Sequence, residues 1–128
     1  MSVRIVRLGS PRSTDEGLRI GTVRRPPRGV RKADYARRDF YDVWLPILAP
    51  QAETVKLALA ASGPGELRSF ERRYRAEMRA PEASRTLDLL AALSHQTNFS
   101  VGCYCEHEAN CHRRILRELL RDRGALLA

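Results

Sequence analysis

The stretch GCYCEHEANCHRR, Gly102 to Arg114, contains all three cysteines of the chain and two of its three histidines. Such crowding admits three kinds of chemistry. Zinc accepts thiolate sulfur and imidazole nitrogen and favours four ligands in a tetrahedron, a set that Cys103, Cys105, Cys111 and His112 could supply. The spacing, C-x-C-x5-C-H, departs from the C-x2-C pairs of zinc knuckles and ribbons. Neighbours on a helix also project about 100° apart, so Cys111 and His112 would need local distortion to share an ion. Metal-free thiols are accordingly the expected state, with zinc the alternative. Thiol chemistry is the second kind. A thiolate beside arginines at a helix N-terminus is a competent nucleophile, and Cys105 or Cys111 could attack with His112 as base. The third is packing, with Cys103 a small apolar residue and His112 a core histidine on the face of Leu116.

The elements that must position these residues follow from periodicity. Alternation in NFSVGCYC, Asn98 to Cys105, predicts a strand with Phe99, Val101, Cys103 and Cys105 on one face. Ile115, Leu116, Leu119 and Leu120 predict a helix from about Cys111 to Gly124. The cluster therefore falls on a strand-to-helix turn, where open α/β sheets tend to bind ligands. Asn110 is a candidate N-cap. The free N–H groups behind it, with Arg113 and Arg114 in the first turn, favour an anion. The loop is similar to those of phosphatases and rhodaneses, but an arginine closes those loops where this chain has Cys111.

Further upstream, Val3, Ile5 and Leu8 alternate with arginines and predict a first strand; Arg4 and Arg7 inside the apolar stretch exclude a signal peptide. LRIGTVRR, residues 18–25, predicts a second strand. PPRGVRKADY, Pro26 to Tyr35, predicts a stiff basic loop suited to a preorganised anion site. Pro46 and Pro50 interrupt the next apolar run, so a helix is expected from about Ala52 to Ala61, and Trp44, Leu45, Ile47 and Leu48 are expected in the core. Leu67, Phe70, Tyr74 and Met78 recur at helical spacing, as do Leu87, Leu90 and Leu93 beyond Pro81. The order (strand, strand, helices, strand, helix) predicts a single compact three-layer α/β domain with a small, mainly parallel sheet flanked by helices.

At 128 residues, 43% hydrophobic and 30% charged, the chain has the size and composition of one soluble globular domain. No apolar run approaches the roughly 20 residues that span a bilayer, so no membrane partner is expected. An odd number of closely spaced cysteines suits a reducing, cytoplasmic setting. The net charge is +8, and residues 1–40, with eleven basic and four acidic side chains, carry +7 of it. Such a field attracts nucleotides, phosphates or a nucleic-acid backbone. Arginines are 21 of the 23 basic residues, a bias that a GC-rich genome also produces. The few aromatics give no stacking ladder for single strands, which favours a small ligand.

GLRIGTVRRPPRGV, YDVWLPILAP, FERRYRAEM and GCYC followed by CHRRIL together resemble the bacterial family called domain of unknown function 488, in its short, YeaO-type members. The resemblance covers about Val3 to Ala125. It implies a compact, cytosolic, three-layer α/β domain and implies no particular reaction. Arg25, Pro27, Arg28 and Gly29 match its basic loop, Trp44, Leu45, Ala49 and Pro50 its second motif, Arg73 and Tyr74 its helix motif, and His112 its histidine. Pro26 and Arg24 stand where the pattern has a tryptophan and an aspartate. The resulting expectation is a basic pocket for a phosphate-bearing small molecule or nucleic acid. Arg25, Arg28, Arg73, Tyr74 and Arg113 would bind the ligand, and His112 and Cys105 would act on it. The alternatives are a non-catalytic nucleic-acid binding module and a zinc-binding or thiol-redox protein.

Overall fold

The structure is a computed structural model that describes residues 1–108 and 111–128. Val3–Arg7 (β1), Leu18–Gly21 (β2), Val43–Trp44 (β3) and Phe99–Cys103 (β4) form a four-stranded sheet in the order β1-β4-β2-β3. Every pairing in it is parallel. The helices are Ala52–Ala60 (α1), Pro64–Glu77 (α2), Pro81–Leu93 (α3) and His112–Asp122 (α4). The chain is thus an α/β protein. Among the described residues no helix is long and apolar enough to cross a membrane.

β4 lies between two parallel neighbours and is buried at every residue, which explains its unbroken run of apolar and small side chains. On one face Val3, Ile20, Phe99 and Val101 pack against Tyr74 of α2, Leu87 of α3 and Leu116 of α4. The opposite face is covered by loops instead of helices. There Arg19 is fully buried, and its guanidinium donates to the Glu16 carboxylate at 2.7 and 2.9 Å and to the carbonyls of Ser10 and Asp39 at 2.8 and 2.7 Å. Ser100 Oγ donates to Glu16 at 2.6 Å. Tyr41 lies directly over Gly21, where a Cβ would meet its ring at 2.4 Å. The third layer therefore consists of the segments before β2 and before β3, fastened by a buried ion pair and one ring.

Several expectations shift in detail. The second strand ends at Gly21 rather than Arg25. β3 was not expected; at two residues it is too short to show a period. Its edge position leaves Trp44 42% exposed; in the turn that follows, Ile47 is 37% exposed, while Leu48 is buried and Leu45 packs at the rim of the core. The Trp44 indole N–H reaches the Val23 carbonyl at 2.7 Å, which holds the ring across the sheet edge. Pro64 and Pro81 begin α2 and α3 at their first turns, where a missing N–H costs nothing.

Candidate functional site

β4 delivers Cys103 to the carboxyl edge of the sheet and ends there, so Cys105 lies beyond the strand and is exposed. The Cys103 thiol donates to Cys105 Sγ at 3.6 Å. Cys111 then returns to the same edge, its backbone N–H bonded to the Glu108 carbonyl at 3.0 Å. With φ −126° and ψ 155°, Cys111 is extended and occupies the N-cap position of α4. The helical objection to a shared ion therefore does not apply: Cys111 and His112 are not successive helical residues. Cys111 Sγ lies 3.7 Å from His112 Nδ1. The ligand atoms of Cys103, Cys111 and His112, all buried, lie within 4.8 Å of one another, and this cluster could hold a metal ion. Asn110, the expected cap, lies outside the described residues.

The orientation of His112 follows from its other nitrogen. Nε2 lies 2.7 Å from the Thr22 carbonyl, and a carbonyl only accepts, so Nε2 carries the proton and Nδ1 turns its lone pair toward the thiols. Thr22 is itself fixed, its N–H and hydroxyl both donating to the Gly102 carbonyl at 3.0 Å. The Tyr74 ring meets the imidazole edge-on at 5.3 Å, and its hydroxyl donates to the Leu48 carbonyl at 2.7 Å. Burial holds the His112 pKa down to about 4, so the ring is neutral near pH 7. The thiols separate by position. Cys105 accepts from the Cys103 and Cys111 thiols and lies near the Arg113 charge, which holds its pKa low. Cys103 is pushed up as a donor to Cys105 and Cys111 and by burial. For Cys111 the Cys103 contact pulls down, but the Cys105 contact and burial outweigh it, with a net rise to about 11.

Arg113 follows in the first turn of α4 and is buried. Its Nη2 donates to the Cys105 carbonyl at 2.7 Å, while Nε has no hydrogen-bond partner among the described residues. Arg114 points elsewhere, to Glu71 at 2.6 Å and Glu118 at 3.2 Å. The basic loop is tied to this turn by Tyr104, whose hydroxyl donates to the Arg25 carbonyl at 3.0 Å. Arg25 and Arg28 are exposed. Arg24 is engaged in structure, donating to the carbonyls of Pro46, Ala49 and Pro50 at 3.2, 3.1 and 3.0 Å. Arg73 is exposed on α2, and Tyr74 is fully buried and meets the cluster at the His112 ring.

The fold thus brings Cys103, Cys105, Cys111, His112 and Arg113 together and hangs the loop carrying Arg25 and Arg28 beside them. A cavity of about 300 Å³ lies along that loop and the sheet edge, lined by Pro26, Lys32, Tyr35, Tyr41, Asp42 and Trp44. The Tyr41 hydroxyl is buried with no partner among the described residues, and burial raises its pKa to about 12. Thr22, Tyr41 and Tyr104 escaped the sequence reading. The only local signal was the position of Tyr104 between two cysteines; the others act through partners distant in the chain. Comparison with curated proteins and with solved structures gives no match. The family model DUF488-N3a, described as the active DUF488-N3 subclade, matches residues 3–124, nearly the whole chain, and the protein belongs to that family.

Proposed function

We propose that this protein binds a phosphate-bearing small molecule, a nucleotide in the first instance, at the carboxyl edge of its sheet. The observation that carries the reading is the Tyr104–Arg25 hydrogen bond, which holds a cationic loop against the cysteine turn. Arg25, Arg28 and Lys32 are exposed on that loop and form no ion pair among the described residues, so their charge is free for a ligand. The adjoining cavity supplies aromatic walls, Tyr35, Tyr41 and Trp44, suited to a base or another flat ring. Arg73 is left out of the ligand set because it is exposed on α2 with no hydrogen bond or ion pair to the site among the described residues, and Tyr74 acts through His112. His112, buried with its nitrogens on Thr22 and Cys111, positions the turn and does not meet the ligand. The subclade's description as active supports chemistry at this edge, where Cys105 is the exposed nucleophile beside Arg113.

Calorimetric titration of nucleoside mono-, di- and triphosphates and of inorganic phosphate tests the reading. Arg28→Ala and Arg25→Ala should each weaken binding about tenfold or more, the loss of one charge-assisted hydrogen bond. Equal binding by wild type and both variants would sink the proposal. A nucleic-acid module predicts something different: affinity falling steeply with salt, with a slope of roughly −0.9 per phosphate contacted on duplex DNA.

A further inference from the structure

The structure assigns a zinc site to the cysteine turn, with Cys103, Cys111 and His112 as ligands and Cys105 closing the tetrahedron. This inference does not depend on phosphate binding by the basic loop, but it replaces the nucleophile role given to Cys105 above, since a zinc-bound thiolate is not free to attack. Zinc–sulfur bonds of about 2.3 Å and zinc–nitrogen bonds of about 2.0–2.1 Å set tetrahedral edges of about 3.8 Å between sulfurs and about 3.6 Å between sulfur and nitrogen. The observed separations are 3.6 Å for Cys103–Cys105 and 3.7 Å for Cys111–His112 Nδ1. Cys103, Cys111 and His112 are mutually within 4.8 Å; Cys105 is exposed and lies outside that set, so its side chain must turn inward from its contact with Cys103 to become the fourth ligand.

Three further features are those of a zinc site rather than of packed thiols. The His112 Nε2–H is anchored on the Thr22 carbonyl at 2.7 Å, the outer-sphere bond that fixes a ligating imidazole with its free nitrogen toward the metal. Cys103, Cys111 and His112 are all buried, while Cys105 is exposed. A zinc ion with three thiolates and one neutral imidazole carries a single negative charge. Arg113, buried and held on the Cys105 carbonyl, has no carboxylate partner among the described residues and supplies the balancing positive charge. A tetrathiol-type knuckle is not required: the extended backbone at Cys111 and the helical start at His112 turn two adjacent residues toward one point.

The test uses the untagged full chain. Zinc content is measured after purification under reducing conditions, and metal-free protein is titrated with zinc in competition with a chromophoric chelator. Thiols are counted with and without metal, and cobalt is substituted for its visible spectrum. The expected result is one zinc per chain, three thiols protected until the metal is chelated, and cobalt bands of tetrahedral thiolate coordination. Cys105→Ser should keep three ligands, weaken zinc by more than the ~10–100-fold typical of losing an outer-sphere partner, and lose part of the cobalt–thiolate absorption. Thr22 holds His112 mainly through its carbonyl at 2.7 Å, with its hydroxyl a longer contact at 3.4 Å, so Thr22→Val keeps the shorter bond, should leave the stoichiometry at one and controls for folding. Folded protein that takes no zinc from the chelator while its thiols react freely overturns the assignment. So does zinc that stays bound with unchanged affinity and cobalt spectrum in Cys105→Ser and in His112→Ala.

Discussion

Glu16 is 2% exposed, and its carboxylate lies between the Arg19 guanidinium and the Ser100 hydroxyl. Burial alone would raise its pKa, but the donors from Arg19 and Ser100 outweigh it and bring it from 4.5 to about 2. The folded protein therefore holds this proton less tightly than the unfolded chain does. The stability contributed is complete above about pH 4.5 and is lost as the pH falls toward about 2. Urea unfolding across that window should show the loss. Glu16→Gln should flatten it and also cost about 3–5 kcal/mol near neutrality, because Arg19 is left buried without its partner. An acid limb unchanged by the substitution would show that the pair contributes nothing through ionisation. Gly102 is a second residue-scale test. A Cβ there would come within 2.6 Å of the Val6 carbonyl oxygen, backbone that cannot swing aside. Gly102→Ala should cost about 1–3 kcal/mol by equilibrium unfolding, and a neutral result would mean β1 and β4 separate more easily than their pairing implies.

At the scale of elements, α4 connects the site to the core. His112 opens it, Ile115, Leu116 and Leu120 bury it, and Gly124 closes it with φ +86°. The closing bonds run from Gly124 N–H to the Arg121 carbonyl and from Ala125 N–H to the Leu120 carbonyl, at 2.9 and 3.0 Å. That pairing needs a left-handed residue after the cap, so Gly124→Ala should lower stability by about 1 kcal/mol, read as a shifted urea midpoint. The end of this helix was legible because glycine and apolar spacing are local signals, and the same holds for β4. The start of α4 was legible to within a residue, but the backbone conformation of Cys111 was not. Whether Cys111 is helical or extended depends on where the preceding turn returns to the sheet. That choice decides whether its sulfur meets His112 Nδ1. The role of Thr22 was equally hidden, since it holds His112 with a backbone carbonyl that any residue possesses. β3 is too short for a period, and its edge position is what exposes Trp44.

For the whole molecule, the uneven charge acquires a place as well as a size. Of the arginines expected at the site, Arg114 is spent on Glu71 and Glu118 and Arg73 lies on the outer surface of α2. Arg25 and Arg28 remain at the carboxyl edge, with Lys32 beside the cavity. The basic first third thus serves two ends: Arg12 and Arg19 fasten the loop layer to Asp42 and Glu16, while the Pro26–Lys32 segment presents charge to solvent. Trp44, the single tryptophan of the chain, lines the cavity on that segment. Its fluorescence, followed while nucleotides are titrated into the wild-type protein and into Arg28→Ala, tests the central claim most directly. A saturable change in the wild type that is weakened about tenfold or more in the variant is the predicted result. No saturable change with any nucleotide, or the same curve for both proteins, would contradict a phosphate-ligand site at this edge.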